Sequence, residues 1–280
     1  NKLEQILLTG GEDRLNEYRD ELRTIAEELG MQTEFAKINS IISALLSTHD
    51  AKVLSTDSAK ALAVGNPFDK QRVDLFEALF DAIKDRYFVI RNNRNTDEES
   101  FRLFSFFESY FSNYIEGMEF EVDEAKAIVD SGIPMPRRDE DSHDILGTFK
   151  VLSNRAEMRK TPTSPKELFS ILSHRHSILL EGRPHMNPGI FKTKNNRAGM
   201  TEFVDSQLVK GTLSQGFKYY AALTDPFARA IFMMFMISEV HPFNDGNGRI
   251  ARVMMNAELV RADQSRIIVP TVFREDYILA

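Results

Sequence analysis

The segment from Asp225 to His241 limits the fold more than any other. Ala228, Ile231, Phe232, Met234, Phe235, Met236 and Ile237 cover most of a helix circumference, the mark of a helix in the middle of a bundle. Asp225 gives it an acidic N-cap and Pro226 fits the first helical position. Pro242 cannot continue the helical pattern, so the helix should stop at about Val240 and hold His241 on a rigid support. A mainly α-helical bundle is the expectation.

That helix leads into His241-Pro242-Phe243-Asn244-Asp245-Gly246-Asn247-Gly248-Arg249, with Arg252 close behind. Gly246 and Gly248 let the backbone turn tightly and aim successive N–H groups into one concavity, which suits an anion. Ile250, Val253, Met254, Ala257 and Val260 then keep helical spacing, so the turn opens onto a helix N-terminus, where the macrodipole also favours phosphate. Arg249 and Arg252 share a face of that helix and can clamp neighbouring phosphoryl groups. Asp245 suits a divalent cation such as Mg²⁺, which takes one or two carboxylates plus phosphate oxygens and water. His241 can act as general base near neutral pH, and Phe243 should turn inward to anchor the loop. Taken alone, Asp-Gly-Asn-Gly is ordinary turn chemistry; the whole string is far more specific.

H-P-F-x-D-G-N-G-R-x-x-R resembles the signature of the Fic family, and every defined position of it is present. Relatives with Gly-Asn-Gly here characteristically transfer AMP from ATP to a protein hydroxyl. The resemblance implies His241 as base, Asp245 as Mg²⁺ ligand, and Gly246, Asn247, Gly248 and Arg249 around the α- and β-phosphates. Arg252 would meet the γ-phosphate. It implies ATP and Mg²⁺ as cofactors, a protein partner with a Ser, Thr or Tyr hydroxyl, and leaves a homodimer open. Two other readings stand beside it: removal of AMP from a modified protein, and a nucleotide-binding or protein-docking module without turnover.

Composition sets wider bounds. A net charge of −7 argues against a nucleic-acid surface. The absence of cysteine excludes disulfides, thiolate catalysis and cysteine-ligated zinc. The six histidines show no paired zinc spacing. The most apolar run, around Ile231 to Ile237, is too short to span a bilayer, so no membrane partner and a cytoplasmic location are expected. The chain begins at Asn1 and its last residues read like the opening turn of a helix, so it is expected to be a fragment.

The expected division is an N-terminal helical region, 1–100, and a Fic-like domain, 101–280. In the first, Leu15 to Leu29 is a helix ended by Gly30, and Thr33 can cap the next. A third apolar face runs from Leu75 to Phe88. This region shows no chemistry; packing and partner binding both stay open. Phe101 to Tyr114 is a phenylalanine-dense helix, with Leu103, Phe106 and Tyr110 widening its apolar arc. It ends Ser112-Asn113-Tyr114-Ile115-Glu116-Gly117, which resembles the family's inhibitory helix, S/T-x-x-x-E-G/N, over about 101–117. In that arrangement Ser112 and Glu116 are the inhibitory residues, and Glu116 pairs with Arg252, a switch rather than a stability device. Ser177 to Gly182 fits the same pattern. However, Glu116 stands much further upstream of His241, as in relatives with an upstream inhibitory helix, and Glu181 ends a helix opened by Ser164-Pro165-Lys166-Glu167.

Val122–Asp130 and Ile145–Met158 read as helices, and Arg137 to Asp141 as a solvated charged loop. His143, His174, His176 and His185 read as structural or exposed. Gly189–Val204 has the look of a β-hairpin, with turn residues at Asn195-Asn196 and Ala198-Gly199. The resemblance makes it a flap that aligns a target segment by main-chain pairing. Lys192 stands where many relatives have arginine, which weakens an assumed salt bridge. Near the end, Tyr277 either contacts adenosine, as the resemblance offers, or packs in the core. The family's glycine-tyrosine-proline element is replaced by Ala262-Asp263-Gln264.

Overall fold

The structure, a computed structural model, describes residues 2–46, 53–136 and 138–274; Arg137 and Tyr277 lie outside them. Among the described residues the chain forms α1 (Lys2–Leu29), α2 (Gln32–Leu45), α3 (Asp57–Ala63), α4 (Lys70–Ile83), α5 (Glu98–Ile115) and α6 (Val122–Ser131). Then come α7 (Asp139–Leu152), α8 (Arg155–Met158), α9 (Pro165–Leu179), α10 (Val209–Ala222), α11 (Pro226–Val240) and α12 (Asn247–Arg261). One antiparallel pair, β1 (Arg197–Ala198) and β2 (Thr201–Glu202), lies between α9 and α10. None of the described helices is long and apolar enough to cross a membrane.

As its sequence demands, α11 is the central helix. Phe232, Met233, Met236 and Ile237 are fully buried, and α11 packs along α12 with α10 and α4 against it. The main apolar core joins these helices to α9 through Leu168, Leu172 and Leu179. Phe76 and Ile83 of α4 belong to the same core, and Phe76 meets Phe232 edge-on at 6.1 Å. The core therefore runs continuously across residue 100. The preceding helices α1, α2 and α3 close on a small cluster of their own around Leu15, Ile42 and Leu45.

Several local expectations are corrected by competing chemistry. Met31, not Thr33, occupies the N-cap of α2. Asp139, Glu140 and Asp141 form the first turn of α7 instead of a loop, where acidic side chains complement the helix dipole. The stretch read as one helix to Met158 breaks after Leu152, because Asn154 caps α8 by accepting from the Glu157 N–H. On α5 the buried face is lined by small polar groups as well as rings: Ser105 and Ser109 donate to the Leu152 and Ile145 carbonyls at 3.0 and 2.9 Å. Leu103, read as part of the apolar arc, is 48% exposed. The hairpin is short, with two residues in each strand.

Close approach fixes α7 against α9. A Cβ on Gly147 would stand 2.5 Å from the Leu179 carbonyl oxygen and 2.7 Å from that of Ile178. Gly147→Ala is therefore expected to lower stability by about 1–3 kcal/mol, seen as a lower urea midpoint at unchanged slope.

Candidate active site

The helix α11 begins where Asp225 Oδ1 accepts from the N–H groups of Phe227 and Ala228, at 2.8 and 3.0 Å. It ends at His241, whose N–H donates to the Ile237 carbonyl while its backbone is left-handed, with φ 48° and ψ 62°. Such a conformation costs a non-glycine residue on the order of 1 kcal/mol, and Pro242 prevents the helix from relieving it by continuing. His241 Nδ1 lies 2.7 Å from the Ser238 carbonyl oxygen, which can only accept. Nδ1 thus carries the proton, and in the neutral ring Nε2 holds the lone pair. The Phe203 ring stacks on this imidazole, centroids 3.4 Å apart and planes within 7°. Burial pushes the His241 pKa down to about 4, against the Ser238 hydrogen bond.

Beyond Pro242 the chain reverses in a loop closed by one side chain. Asn247 Oδ1 accepts from the Phe243 N–H and its Nδ2 donates to the Phe243 carbonyl, both at 2.9 Å. Phe243 is fully buried, as the sequence suggested. Gly246, with φ 71°, forms the N-cap of α12, and no side chain caps that helix. The side chain of Asn247 is thereby occupied in the loop, and what it can offer an anion is its backbone N–H at the helix start.

The two arginines are held differently. Arg249 is buried and pairs with Asp144 Oδ2 at 2.8 Å and with Asp245 Oδ2 at 3.3 Å. Arg252 is also buried; its Nε donates to Ser112 Oγ at 2.9 Å, and its Nη2 donates to the Ser112 carbonyl at 2.8 Å and to Glu116 Oε1 at 2.5 Å. Gly248 makes room for this contact, because a Cβ there would fall 2.4 Å from Glu116 Oε1. Glu181 is exposed at the far end of α9 and pairs with Lys150 at 2.9 Å. The structure therefore brings Ser112 and Glu116 to the string that holds His241, Asp245, Gly246, Asn247, Gly248, Arg249 and Arg252. Arg274 donates from Nε to the Ile115 carbonyl at 2.9 Å, at the last turn of α5.

Two contributors escaped the sequence. His176 is fully buried on α9; its Nδ1 accepts from the Gly189 N–H at 2.8 Å, so its Nε2–H donates to the Asp245 carbonyl at 3.0 Å. Its ring lies parallel to Phe243 at 3.7 Å. The available signal was its place one turn beyond Leu172 on the apolar stripe of α9. Asp144, on α7, anchors both Arg249 and Arg183, the latter at 2.6 Å, and nothing in its local sequence marks it. Lys192 is 3% exposed, with Nζ donating to Asn196 Oδ1 at 2.6 Å and directed at the Val240 carbonyl at 3.4 Å. Burial, against the pull of Asp205, lowers its pKa to about 8.

The family model described as Fic/DOC family matches residues 168–259, which run from the first turn of α9 to the last turn of α12 and include the loop before α12. Over that stretch the chain is similar to the Fic/DOC family. Among curated Fic proteins it is 26% identical over 174 residues to protein adenylyltransferase fic-1 of Caenorhabditis elegans, covering 60% of this chain and 34% of that one. With protein adenylyltransferase Fic of Nematostella vectensis it shares 24% identity over 243 residues, 81% of this chain and 53% of the other. It thus spans about a third to a half of these relatives. Its fold resembles a Fic domain containing signaling protein from Bacteroides thetaiotaomicron, with TM-score 0.55, 16% identity, and coverage of 74% of this chain and 79% of that one. A solved Fic-1 fragment from Caenorhabditis elegans gives TM-score 0.54 at 17% identity, covering 99% and 82%.

The loop also bears on the expected cation. Among the described residues no group of three or more His, Cys, Asp or Glu side chains could enclose an ion. Asp245 is a single carboxylate at the loop with its side chain 35% exposed, and that donor set suits Mg²⁺ shared with phosphate oxygens and water.

Burial also pushes the His176 pKa down to about 4. Unfolded, each of His176 and His241 takes a proton as pH falls through its ordinary value of 6.5; folded, each resists until about 4. Within that window the unfolded chain binds more protons, so acidification favours unfolding. Each histidine is expected to remove on the order of 1–3 kcal/mol between the two limits. Urea unfolding across the window should show a shallower loss for His176→Asn than for the unaltered protein.

Proposed function

We propose that the chain is a protein adenylyltransferase that moves AMP from ATP to a Ser, Thr or Tyr hydroxyl of a target protein, and that Glu116 restrains it at rest. One observation carries the reading: an imidazole with its proton fixed on Nδ1 stands at the rim of a loop that opens onto an uncapped helix N-terminus. The curated Caenorhabditis and Nematostella relatives are protein adenylyltransferases, which supports the same chemistry.

In the proposed reaction His241 Nε2 takes the proton of the target hydroxyl as its oxygen attacks the α-phosphorus. The bond from that phosphorus to the bridging oxygen breaks, and pyrophosphate leaves with the electron pair. The N–H groups of Asn247, Gly248 and Arg249 receive phosphate oxygens, and the Arg249 guanidinium, steadied by Asp144, adds positive charge where negative charge develops. Asp245 would hold Mg²⁺, which when bound neutralises phosphate charge. Both residues of each hairpin strand are exposed, leaving the flap open to pairing with an extended target segment.

Glu116 and Ser112 engage the arginine that would meet the γ-phosphate, so ATP entering this resting arrangement would lack that contact. A second reading draws on the same glutamate. With Oε1 beside Gly248, its carboxylate could orient water against an AMP-modified protein instead.

Incubation with α-labelled ATP and Mg²⁺ tests these readings. His241→Ala is expected to abolish protein labelling, and Glu116→Gly to raise it roughly tenfold, the factor given by each ~1.4 kcal/mol withdrawn from the restrained state. Labelling unchanged by Glu116→Gly would remove the restraint from the account; no labelling by either the unaltered protein or that variant would remove transfer itself. Release of AMP from a modified target, lost in Glu116→Gly, would favour the second reading.

A further inference from the structure

The sequence assigns no chemistry to α4, yet its Arg72 reaches the flap. Arg72 Nη2 donates to the Glu202 carbonyl of β2 at 2.7 Å, and Nη1 pairs with the Glu239 carboxylate on the last turn of α11. The two contacts sit next to the reacting ring. Glu202 immediately precedes Phe203, which stacks on His241, and Glu239 lies in the turn that ends at His241. The supporting helix is firmly seated: Phe76 packs on Phe232, and the Asp69 N–H donates to Thr212 Oγ1 at 2.9 Å.

The other arm of the flap has separate moorings. Lys192 holds Asn196, whose Nδ2 donates to the Phe243 carbonyl at 2.9 Å, and the Phe203 N–H returns to the Asn196 carbonyl at 3.3 Å. Those bonds fix the hairpin to the loop below it. Arg72 adds to them a hold on β2 from a separate helix.

We propose that Arg72 is a positioning residue that clamps β2 to the end of α11 and thereby seats Phe203 on the His241 imidazole. A guanidinium suits this task because its planar fork can donate to a carbonyl and a carboxylate at once, which an ammonium does less well. With the clamp in place the imidazole keeps one orientation and stays desolvated. The assignment rests on His241 being the base, and it gives the N-terminal region a part in the site beyond packing.

The test compares the full chain with Arg72→Met, which keeps the aliphatic stem, and Arg72→Lys, which keeps the charge. Amide hydrogen exchange over 201–204 is expected to quicken by about tenfold or more in both variants, while α11 and α12 are unchanged. The His241 titration, followed by NMR, should shift upward in both as the ring is uncovered. The charges facing that ring are Lys192, Glu116 and Arg72 itself, and only the last is altered. Unchanged flap exchange overturns the clamp, as does exchange quickened equally throughout the protein. A titration that moves in Arg72→Met but not in Arg72→Lys also overturns it, since charge alone would then explain the shift. Neither readout needs turnover, so absence of AMP transfer would count against the proposed function and not against the clamp.

Discussion

The pair of hydrogen bonds between the Asn247 side chain and the Phe243 backbone sets the frame for the whole site. They close a loop that must reverse the chain from the end of α11 to the start of α12 with no sheet or disulfide to help. Asn247 is 4% exposed, so losing either bond would leave a buried polar group unmatched at a cost of about 1–3 kcal/mol. Because the loop cannot open cheaply, His241 keeps its left-handed backbone, and Arg249 and Arg252 keep fixed offsets from the helix start. The stacked pair Phe243 and His176 supports the loop from below, and His176 ties it to Gly189 at the approach to the flap.

Within that frame the two ion pairs differ in how replaceable they are. Asp144 is 1% exposed and shared by two guanidinium groups, so its removal would strand buried positive charge, typically a loss of about 3–5 kcal/mol. Glu116 keeps a third of its side chain in contact with solvent, and its partner retains two hydrogen bonds to Ser112. Withdrawing that carboxylate returns one charge to water and leaves Arg252 partly satisfied. The geometry thus holds Arg249 through a buried carboxylate and Arg252 in part through one that solvent reaches.

How much of this was legible depended on whether a residue's role is local. The all-round apolar pattern of α11, its Asp-Pro start and its His-Pro stop are one-dimensional signals, and they located the central helix and His241. The glycines marked the loop, and spacing along the chain favoured Glu116 over Glu181. On α5 counting large apolar residues failed at Leu103, because the close face toward α7 is built from serines that bond to carbonyls of another helix. The acidic run at the start of α7 reads the same in a loop and at a helix N-terminus until the next turn is known. Asp144 and Arg72 act only through partners far away in sequence, so no local pattern marks them, and His176 showed only its place on the apolar stripe of α9.

An anion approaching the N-terminus of α12 meets one already there, since Glu116 Oε1 occupies the space that a side chain on Gly248 would fill. Two negative groups a few ångströms apart repel by several kcal/mol even at an effective dielectric near 20. Under the proposed reading, nucleotide binding and the Glu116 contact are therefore linked, and each weakens the other by the same free energy. The displacement this requires is small. The body of α5 is held elsewhere, by Ser105 and Ser109 and by the buried pair of Glu108 with Arg266 at 2.9 Å. Only its last turn, ending in Gly117 with φ 93°, carries Ser112 and Glu116 to Arg252. Under the proposed reading, movement of the Glu116 side chain alone, a third of it exposed, would release this contact while Asn113 and Ile115 of the same turn stay buried.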